Sequence, residues 1–213
     1  MNNNDWERLE TLGNIPIDAA LLHNLFSDYA SPSNKIEELC RKGLLLRARR
    51  GLYIVATKIS HKLIEPGLVA NHLYGPSYVS FETAMEFHGM IPERVFTVKS
   101  ATPGRTKLYN TELGRYEFLR VPMEYFRAGI RMAGPESCSY MIASPEKALC
   151  DFLMLSANLR IQSLQSMRDF LENFMRIDMD IVVGFDPEII MACIETGRKK
   201  TTLTQLLGVV QNG

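Results

Sequence analysis

The sequence of 213 residues predicts an α+β fold, and three features lead to that prediction. Helical patterns separated by glycine breaks open the chain, and a short hairpin pattern follows them. Runs rich in β-branched and aromatic residues then appear between residues 95 and 143. Apolar residues make up 46% and charged residues 23%, a composition typical of a folded globular protein. A chain of this length can bury one large core or two small ones.

The first part of the chain is predicted to form helices. We expect helices over residues 5–12 and 17–26, the second with apolar side chains at helical spacing. A third helix is expected after Ser31-Pro32, because serine is a good N-cap and proline suits the first helical position. Gly43 can end that helix in a left-handed conformation.

A hairpin is predicted directly after these helices. Residues 44–49 and 52–56 are two extended runs joined through Arg50-Gly51, and a tight glycine turn between two strands makes a hairpin. In a winged helix-turn-helix domain the elements follow the same order, with helices first and a basic hairpin after them. We therefore predict such a domain over residues 1–57, with a linker at 57–65.

The remainder, residues 58–213, is predicted to be a mixed α/β domain with a small sheet and several helices. Expected helices lie at 68–74, 80–88 and from Ser144-Pro145-Glu146 onward, and expected strands lie at 95–101, 115–121 and 140–143. From Ser163 to the end the pattern is mostly helical.

The net charge of zero is an average over unequal segments. Residues 1–30 carry one basic and five acidic side chains, whereas residues 31–51 carry six basic and two acidic ones. A basic segment this short produces a local positive field even in a neutral molecule. A nucleic-acid partner is therefore compatible with the overall charge.

The basic segment predicts contact with double-stranded DNA. We expect Ser33 and Asn34 to meet base edges in the major groove, since polar residues at the start of such a helix face the bases. The expected phosphate contacts are Lys35, Arg41, Lys42, Arg47, Arg49 and Arg50. The alternative is a solvated face with charges placed for solubility, and Glu37 and Glu38 favour it.

A second basic set lies beyond the predicted linker and comprises Arg94, Lys99, Arg105, Lys107 and Arg115. Glutamates alternate with these residues, so a salt-bridged β surface is the preferred interpretation. The functional alternative is a docking face for an acidic partner.

Signatures of catalysis are absent from the sequence. The four histidines and four cysteines show no metal-binding spacing, and no phosphate-binding glycine loop or nucleophile elbow occurs. Glu146-Lys147 is explained by the preference for an acid at a helix start. We predict no enzyme activity, no cofactor, no metal and no small-molecule substrate. Without an apolar span or a signal segment, we expect no membrane association and a cytoplasmic location with reduced thiols.

Four blocks of the sequence resemble the AbiEi-type antitoxins, the regulator half of abortive-infection (type IV) toxin–antitoxin pairs. The blocks are Arg50 to Val55, Gly75 to Glu82, His88 to Val98 and Ala143 to Asp151, within about residues 35 to 155. The resemblance implies a winged-helix domain that binds its own operator and represses its operon. It also implies a C-terminal domain that counteracts a cognate toxin of the nucleotidyltransferase type.

The main hypothesis is therefore a DNA-binding repressor of this type, which autoregulates its operon. The alternative is a protein-binding module that neutralises a partner toxin without binding DNA. A metal-dependent nuclease with an unrecognised site ranks a distant third.

Overall fold

The computed structural model describes residues 3–212, which form a mixed α+β fold. The helices are α1 (Asn3–Leu12), α2 (Ala19–Leu25), α3 (Pro32–Arg41), α4 (Thr57–Ser60), α5 (Pro66–Leu73), α6 (Phe81–Phe87), α7 (Met123–Phe126), α8 (Pro145–Leu155), α9 (Leu164–Asp169), α10 (Met179–Val183), α11 (Pro187–Thr196) and α12 (Lys200–Gln211). The strands are β1 (Ile17–Asp18), β2 (Leu45–Arg49), β3 (Leu52–Val55), β4 (Tyr78–Val79), β5 (Thr97–Thr102), β6 (Lys107–Thr111), β7 (Gly114–Arg120), β8 (Ile130–Ala133) and β9 (Tyr140–Ala143). A 3-10 turn covers Glu136–Cys138, and a π-helical turn covers Phe170–Phe174.

Local signals in the sequence set the ends of α3. Ser31 Oγ accepts the Asn34 N–H at 3.4 Å, and Pro32 occupies the first helical position, as predicted. Gly43 has a φ of +61°, which confirms the expected left-handed end. The second predicted helix is shorter than expected. Asp18 caps α2 by accepting the Leu21 N–H at 2.7 Å, while Ile17 pairs with β3 instead.

The predicted hairpin is confirmed, and it belongs to a three-stranded antiparallel sheet in the order β1-β3-β2. Its two faces serve different hydrophobic clusters. Leu45, Tyr53 and Val55 pack with the first helices, whereas Ala48, Leu52 and Ile54 join the larger core that follows. The hairpin is therefore anchored from both sides.

The larger core surrounds a six-stranded mixed sheet in the order β6-β7-β5-β4-β9-β8. Pairs β5–β7 and β4–β9 are parallel, and the other pairs are antiparallel. The predicted strands correspond to β5, β7 and β9. Strands β4, β6 and β8 were missed. Strand β4 has only two residues, and β6 and β8 form the two edges and carry many exposed side chains, which weakens the apolar pattern.

The predicted linker begins with structure rather than with a loop. Residues Thr57–Ser60 form α4, and Ile59 is wholly buried in the first cluster. The C-terminal segment is mostly helical, as expected, through α9 to α12. In residues 3–212 no helix is long and apolar enough to cross a bilayer.

Candidate nucleic-acid interface

A cleft of about 640 Å³ opens between α2, α3 and the β2–β3 hairpin. Its lining residues are Ala19, His23, Ser33, Glu37, Arg47, Arg50, Gly51 and Tyr53. Three residues predicted from the sequence to contact DNA, Ser33, Arg47 and Arg50, are therefore brought together here. The cleft presents two guanidinium groups beside the exposed first turn of a helix.

The first turn of α3 supplies the helical side of the cleft. Ser33 and Asn34 are both exposed there, and Ser33 Oγ lies 3.3 Å from His23 Nε2 on α2. The positive end of the helix dipole points out of this turn. Exposed hydroxyl and amide groups at a helix start can thus meet an anion or a base edge.

The hairpin supplies the cationic side of the cleft. Arg47 pairs across the strands with Tyr53, and its guanidinium carbon lies 5.5 Å from the centre of the Tyr53 ring. The ring restricts the arginine while leaving its donors exposed. At the turn, Gly51 has a φ of +79°, a conformation that glycine adopts without strain and that places Arg50 at the tip.

A second cavity of about 300 Å³ lies beside the first and is lined by Glu37, Cys40, Arg41, Arg47 and Glu112. Because Arg47 lines both cavities, the hairpin and α3 form one surface. Ser33, Glu37 and Arg41 are four residues apart, so they share one face of the helix. Two carboxylates, those of Glu37 and Glu112, also belong to this surface. Glu37 is a residue whose place in the sequence favours a solvated face over a DNA contact.

The assignment of Lys35 to phosphate contact is wrong. Its side chain is only 8% exposed, and its Nζ lies 2.8 Å from Asp5 Oδ2 and 4.7 Å from the centre of the Tyr29 ring. Lys35 precedes the buried Ile36, on the side of α3 that packs toward α1. Burial lowers the pKa of Lys35, but the bond to Asp5 and the charges of Asp5 and Glu38 outweigh that effect and raise it.

Two further predicted phosphate contacts have internal partners. Lys42 forms an ion pair with Glu38 one turn earlier and stays half-exposed. Arg49 donates from Nε to the Leu73 carbonyl at 3.1 Å, because the strand register shifts between Arg47 and Arg49. Arg49 therefore faces the end of α5, away from the cleft that Arg47 lines.

The second basic set is divided among separate sites. Lys99 pairs with Glu82 at 2.7 Å, and Arg94 lies over the Phe96 ring at 5.7 Å. Lys107 Nζ lies 4.2 Å from the centre of the Tyr74 ring, and the Arg105 N–H donates to Tyr74 Oη at 3.0 Å. Arg115 is the second residue of β7 and lies at the other end of the β6–β7 pair.

Sequence reasoning did not select His23, Ala19 or Glu112 for this surface. They come from α2 and from the β6–β7 turn, and each reaches the surface only through tertiary packing. No local pattern marks them, because each lies in a segment that otherwise indicates an ordinary helix or turn.

The Glu146-Lys147 pair lies in the protein interior. Glu146 is 2% exposed and Lys147 is wholly buried, and Lys147 donates to the Tyr125 carbonyl at 2.9 Å. Within residues 3–212 no group of three histidine, cysteine, aspartate or glutamate side chains is placed to hold a metal ion. The cationic cleft thus remains the candidate site.

Comparison with known proteins gives a structural similarity. No family model matches the chain, and no curated protein matches it. Among solved structures, the chain is similar to the crystal structure of the RV2827C protein from Mycobacterium tuberculosis, with a TM-score of 0.54 at 10% identity. The match covers 97% of this chain and 80% of that one, so the two share a fold over almost the whole chain.

Proposed function

We propose that this protein is a DNA-binding transcriptional repressor of the AbiEi antitoxin type, with an N-terminal winged helix-turn-helix. The observation that carries the proposal is the single cleft in which Ser33, Arg47 and Arg50 meet. The element order β1-α2-α3-β2-β3, with the sheet order β1-β3-β2, is that of a winged helix. The resemblance of Arg50 to Val55 to the family wing supports the same conclusion.

In this proposal α3 enters the major groove by its first turn. Ser33 and Asn34 then reach base edges, and they supply what sequence preference the protein has. Arg41, Arg47 and Arg50 grip phosphates, because the planar guanidinium binds two oxygens at once. Phosphate contacts fix the register of the protein on the duplex without reading the sequence.

Of the six cations predicted to contact phosphates, Lys35 and Arg49 are left out of the proposed interface, and Lys42 contributes to it only in part. Lys35 supports the position of α3 from inside, and Arg49 holds the hairpin to α5. Lys42 reaches a phosphate only by leaving Glu38. The proposed interface therefore contains fewer cations than the basic segment of residues 31–51 carries.

A titration of the upstream region of its own gene, followed by fluorescence anisotropy, tests the proposal. The double variant Arg47→Ala/Arg50→Ala is expected to weaken binding about tenfold or more and to flatten the salt dependence by about two ion equivalents. Random duplex DNA is expected to lose affinity equally, since phosphates are common to all sequences. The matched control Arg127→Ala removes an exposed arginine paired with Glu124 and is expected to change nothing.

Unchanged affinity and an unchanged salt slope in the double variant would contradict the DNA proposal. The second candidate, a protein-binding module that neutralises a toxin without binding DNA, then gains support. Glu37 and Glu112 favour that candidate, because both carboxylates sit where a polyanion would have to approach. Under that candidate, wild-type protein would bind neither upstream DNA nor random duplex at physiological salt.

A further inference from the structure

Three neighbouring cavities, together called the groove, lie on the part of the chain that is built around the six-stranded sheet. Their volumes are about 510, 290 and 410 Å³. The first and second share Phe152 and Phe174, and the second and third share Val95. The three cavities are therefore adjacent and follow one another from the π-helical turn to the face of the sheet.

The walls of the groove are largely apolar and aromatic. Val79, Val98 and Ile142 from three neighbouring strands line its third cavity, together with the Phe87 ring. At the other end Phe170 and Phe174 stack with ring centres 5.2 Å apart. Phe174 is 72% exposed, and large exposed aromatic side chains next to a cavity are typical of binding surfaces.

The charged residues along the groove all have one sign. Glu82 and Glu93 line the second cavity, and Glu65 and Glu86 line the third. Among residues 3–212, no lysine, arginine or histidine lines any of the three cavities. Lys99 pairs with Glu82 and Arg176 pairs with Glu93, whereas Glu65 and Glu86 form no ion pair with the described residues. The net negative charge of the groove is therefore that of Glu65 and Glu86, in contrast to the cationic cleft beside α3.

One of these carboxylates has an oxygen that is buried without a hydrogen bond. Glu82 Oε1 accepts from Lys99 Nζ at 2.7 Å, whereas Glu82 Oε2 has no hydrogen-bond partner within the described part of the chain. A buried carboxylate oxygen is destabilised until it receives a donor. This oxygen has almost no exposed surface, so a cation in the second cavity reaches it only if the Glu82 side chain turns.

We infer that this groove docks a basic segment of a partner protein in which lysine or arginine alternates with large apolar side chains. The carboxylates complement the cations, and the aromatic walls accept the apolar side chains. Three adjacent cavities fit several side chains of one segment better than a single small cation. Nucleic acid is disfavoured because Glu65 and Glu86, which have no ion-pair partner among the described residues, would repel its phosphates. The inference does not depend on the cationic cleft binding DNA.

A labelled synthetic peptide of alternating leucine and arginine is the probe. Anisotropy titration is expected to show saturable binding to the wild-type protein. The same peptide with glutamate in place of arginine should fail to bind, and the peptide with glycine in place of leucine should bind at least about tenfold more weakly.

Two variants locate the binding on the groove. Phe174→Ala removes an exposed wall, and Glu93→Gln removes a carboxylate that pairs with Arg176. Each is expected to weaken the leucine–arginine peptide about fivefold to tenfold. Met132→Ala and Glu124→Gln change residues that are also at least half exposed but lie outside the groove, and both are expected to leave the affinity unaltered.

Several results would overturn the inference. Equal binding of the glutamate peptide, or full affinity in both Phe174→Ala and Glu93→Gln, would show that the groove is not the site. Light scattering that detects a dimer, dissolved by Phe174→Ala, would assign the groove to a second copy of this chain. Loss of DNA affinity in Phe174→Ala would do the same for nucleic acid.

DNA binding by the cationic cleft and peptide docking in the groove can each be refuted without refuting the other. Arg47→Ala/Arg50→Ala is expected to keep full peptide affinity, and Phe174→Ala is expected to keep full DNA affinity. Loss of both activities in either variant would mean that one surface carries both, which contradicts the groove as an independent site.

Discussion

Lys147 Nζ lies 3.0 Å from Asp151 Oδ1, one turn further along α8, and both side chains are wholly buried. The same ammonium lies 3.2 Å from the centre of the Tyr125 ring. Asp151 Oδ2 accepts from Ser80 Oγ at 2.6 Å and from Tyr78 Oη at 3.0 Å. This network joins α8 to α7 and to the β4–α6 connection in the middle of the larger core.

Breaking this pair from one side is expected to destabilise the fold strongly. Lys147→Met leaves a buried carboxylate without its cation, a change that costs about 3 to 5 kcal/mol of unfolding free energy. Urea unfolding followed by circular dichroism measures the loss. The double variant Lys147→Met/Asp151→Leu is expected to recover part of it, since no unpaired charge remains. If Lys147→Met is as stable as the control Lys200→Met, which changes an exposed lysine, the prediction is wrong.

Lys35 and Arg41 are expected to behave oppositely, although both are cations of α3. Lys35→Ala removes the buried partner of Asp5 and is expected to cost about 1 to 3 kcal/mol of stability. The salt dependence of DNA binding by Lys35→Ala should remain that of the wild-type protein. Arg41→Ala is expected to keep the stability and flatten the salt dependence by about one ion equivalent. Paired unfolding and anisotropy titrations check both halves, and a flattened slope in Lys35→Ala would refute the buried assignment.

The Lys35 ion pair also predicts a loss of stability in alkali. The raised pKa of Lys35 means that the folded state holds the proton more tightly than the unfolded state. The contribution is therefore complete below the ordinary lysine pKa of about 10.4 and is lost as pH rises through the raised value. Lys35→Ala should show a shallower alkaline decline than wild type. An identical decline in the two proteins would argue against the pair.

Tyr116 is expected to titrate late. Burial raises its pKa to about 12, because the ionised phenolate would lose its hydration inside the core. The neutral form is then favoured by the fold, so stability is lost as pH rises from about 10 through about 12. Tyr116→Phe is expected to remove one late step from the tyrosinate absorbance titration and to unfold less steeply in alkali. If the titration step that disappears in Tyr116→Phe lies near pH 10, the phenol of Tyr116 is exposed and the prediction is wrong.

Arg49 is expected to contribute little to DNA affinity, despite its place in the basic hairpin. Its Nε donates to the Leu73 carbonyl at 3.1 Å, and Arg49→Ala removes that bond while leaving the cleft intact. The change should cost about 0.5 to 1.5 kcal/mol of stability and alter DNA affinity less than about twofold. Unfolding and anisotropy measurements separate the two effects. A loss of affinity equal to that of Arg50→Ala would place Arg49 in the interface.

Short-range features were predictable because they depend on neighbouring residues. The Ser31 cap, the proline that follows it and the left-handed Gly43 specify α3 within a dozen residues. The hairpin around Gly51 and the helix that starts at Pro145 are equally local. Edge strands β6 and β8 were missed because their exposed side chains follow no apolar alternation.

The sequence alone determined the α+β class, the order of helices and hairpin, and a concentration of positive charge between residues 31 and 51. Only the tertiary structure decided which of those charges are buried or paired and which of them share the cleft. Asp5 on α1 neutralises Lys35, and the register shift in β2 turns Arg49 away from Arg47. Likewise, the packing of α5, α6 and the loop after α6 brings the groove glutamates Glu65, Glu82, Glu86 and Glu93 to two neighbouring cavities. Side-chain exposure and pairing depend on contacts between segments far apart in the chain, which local propensity does not encode.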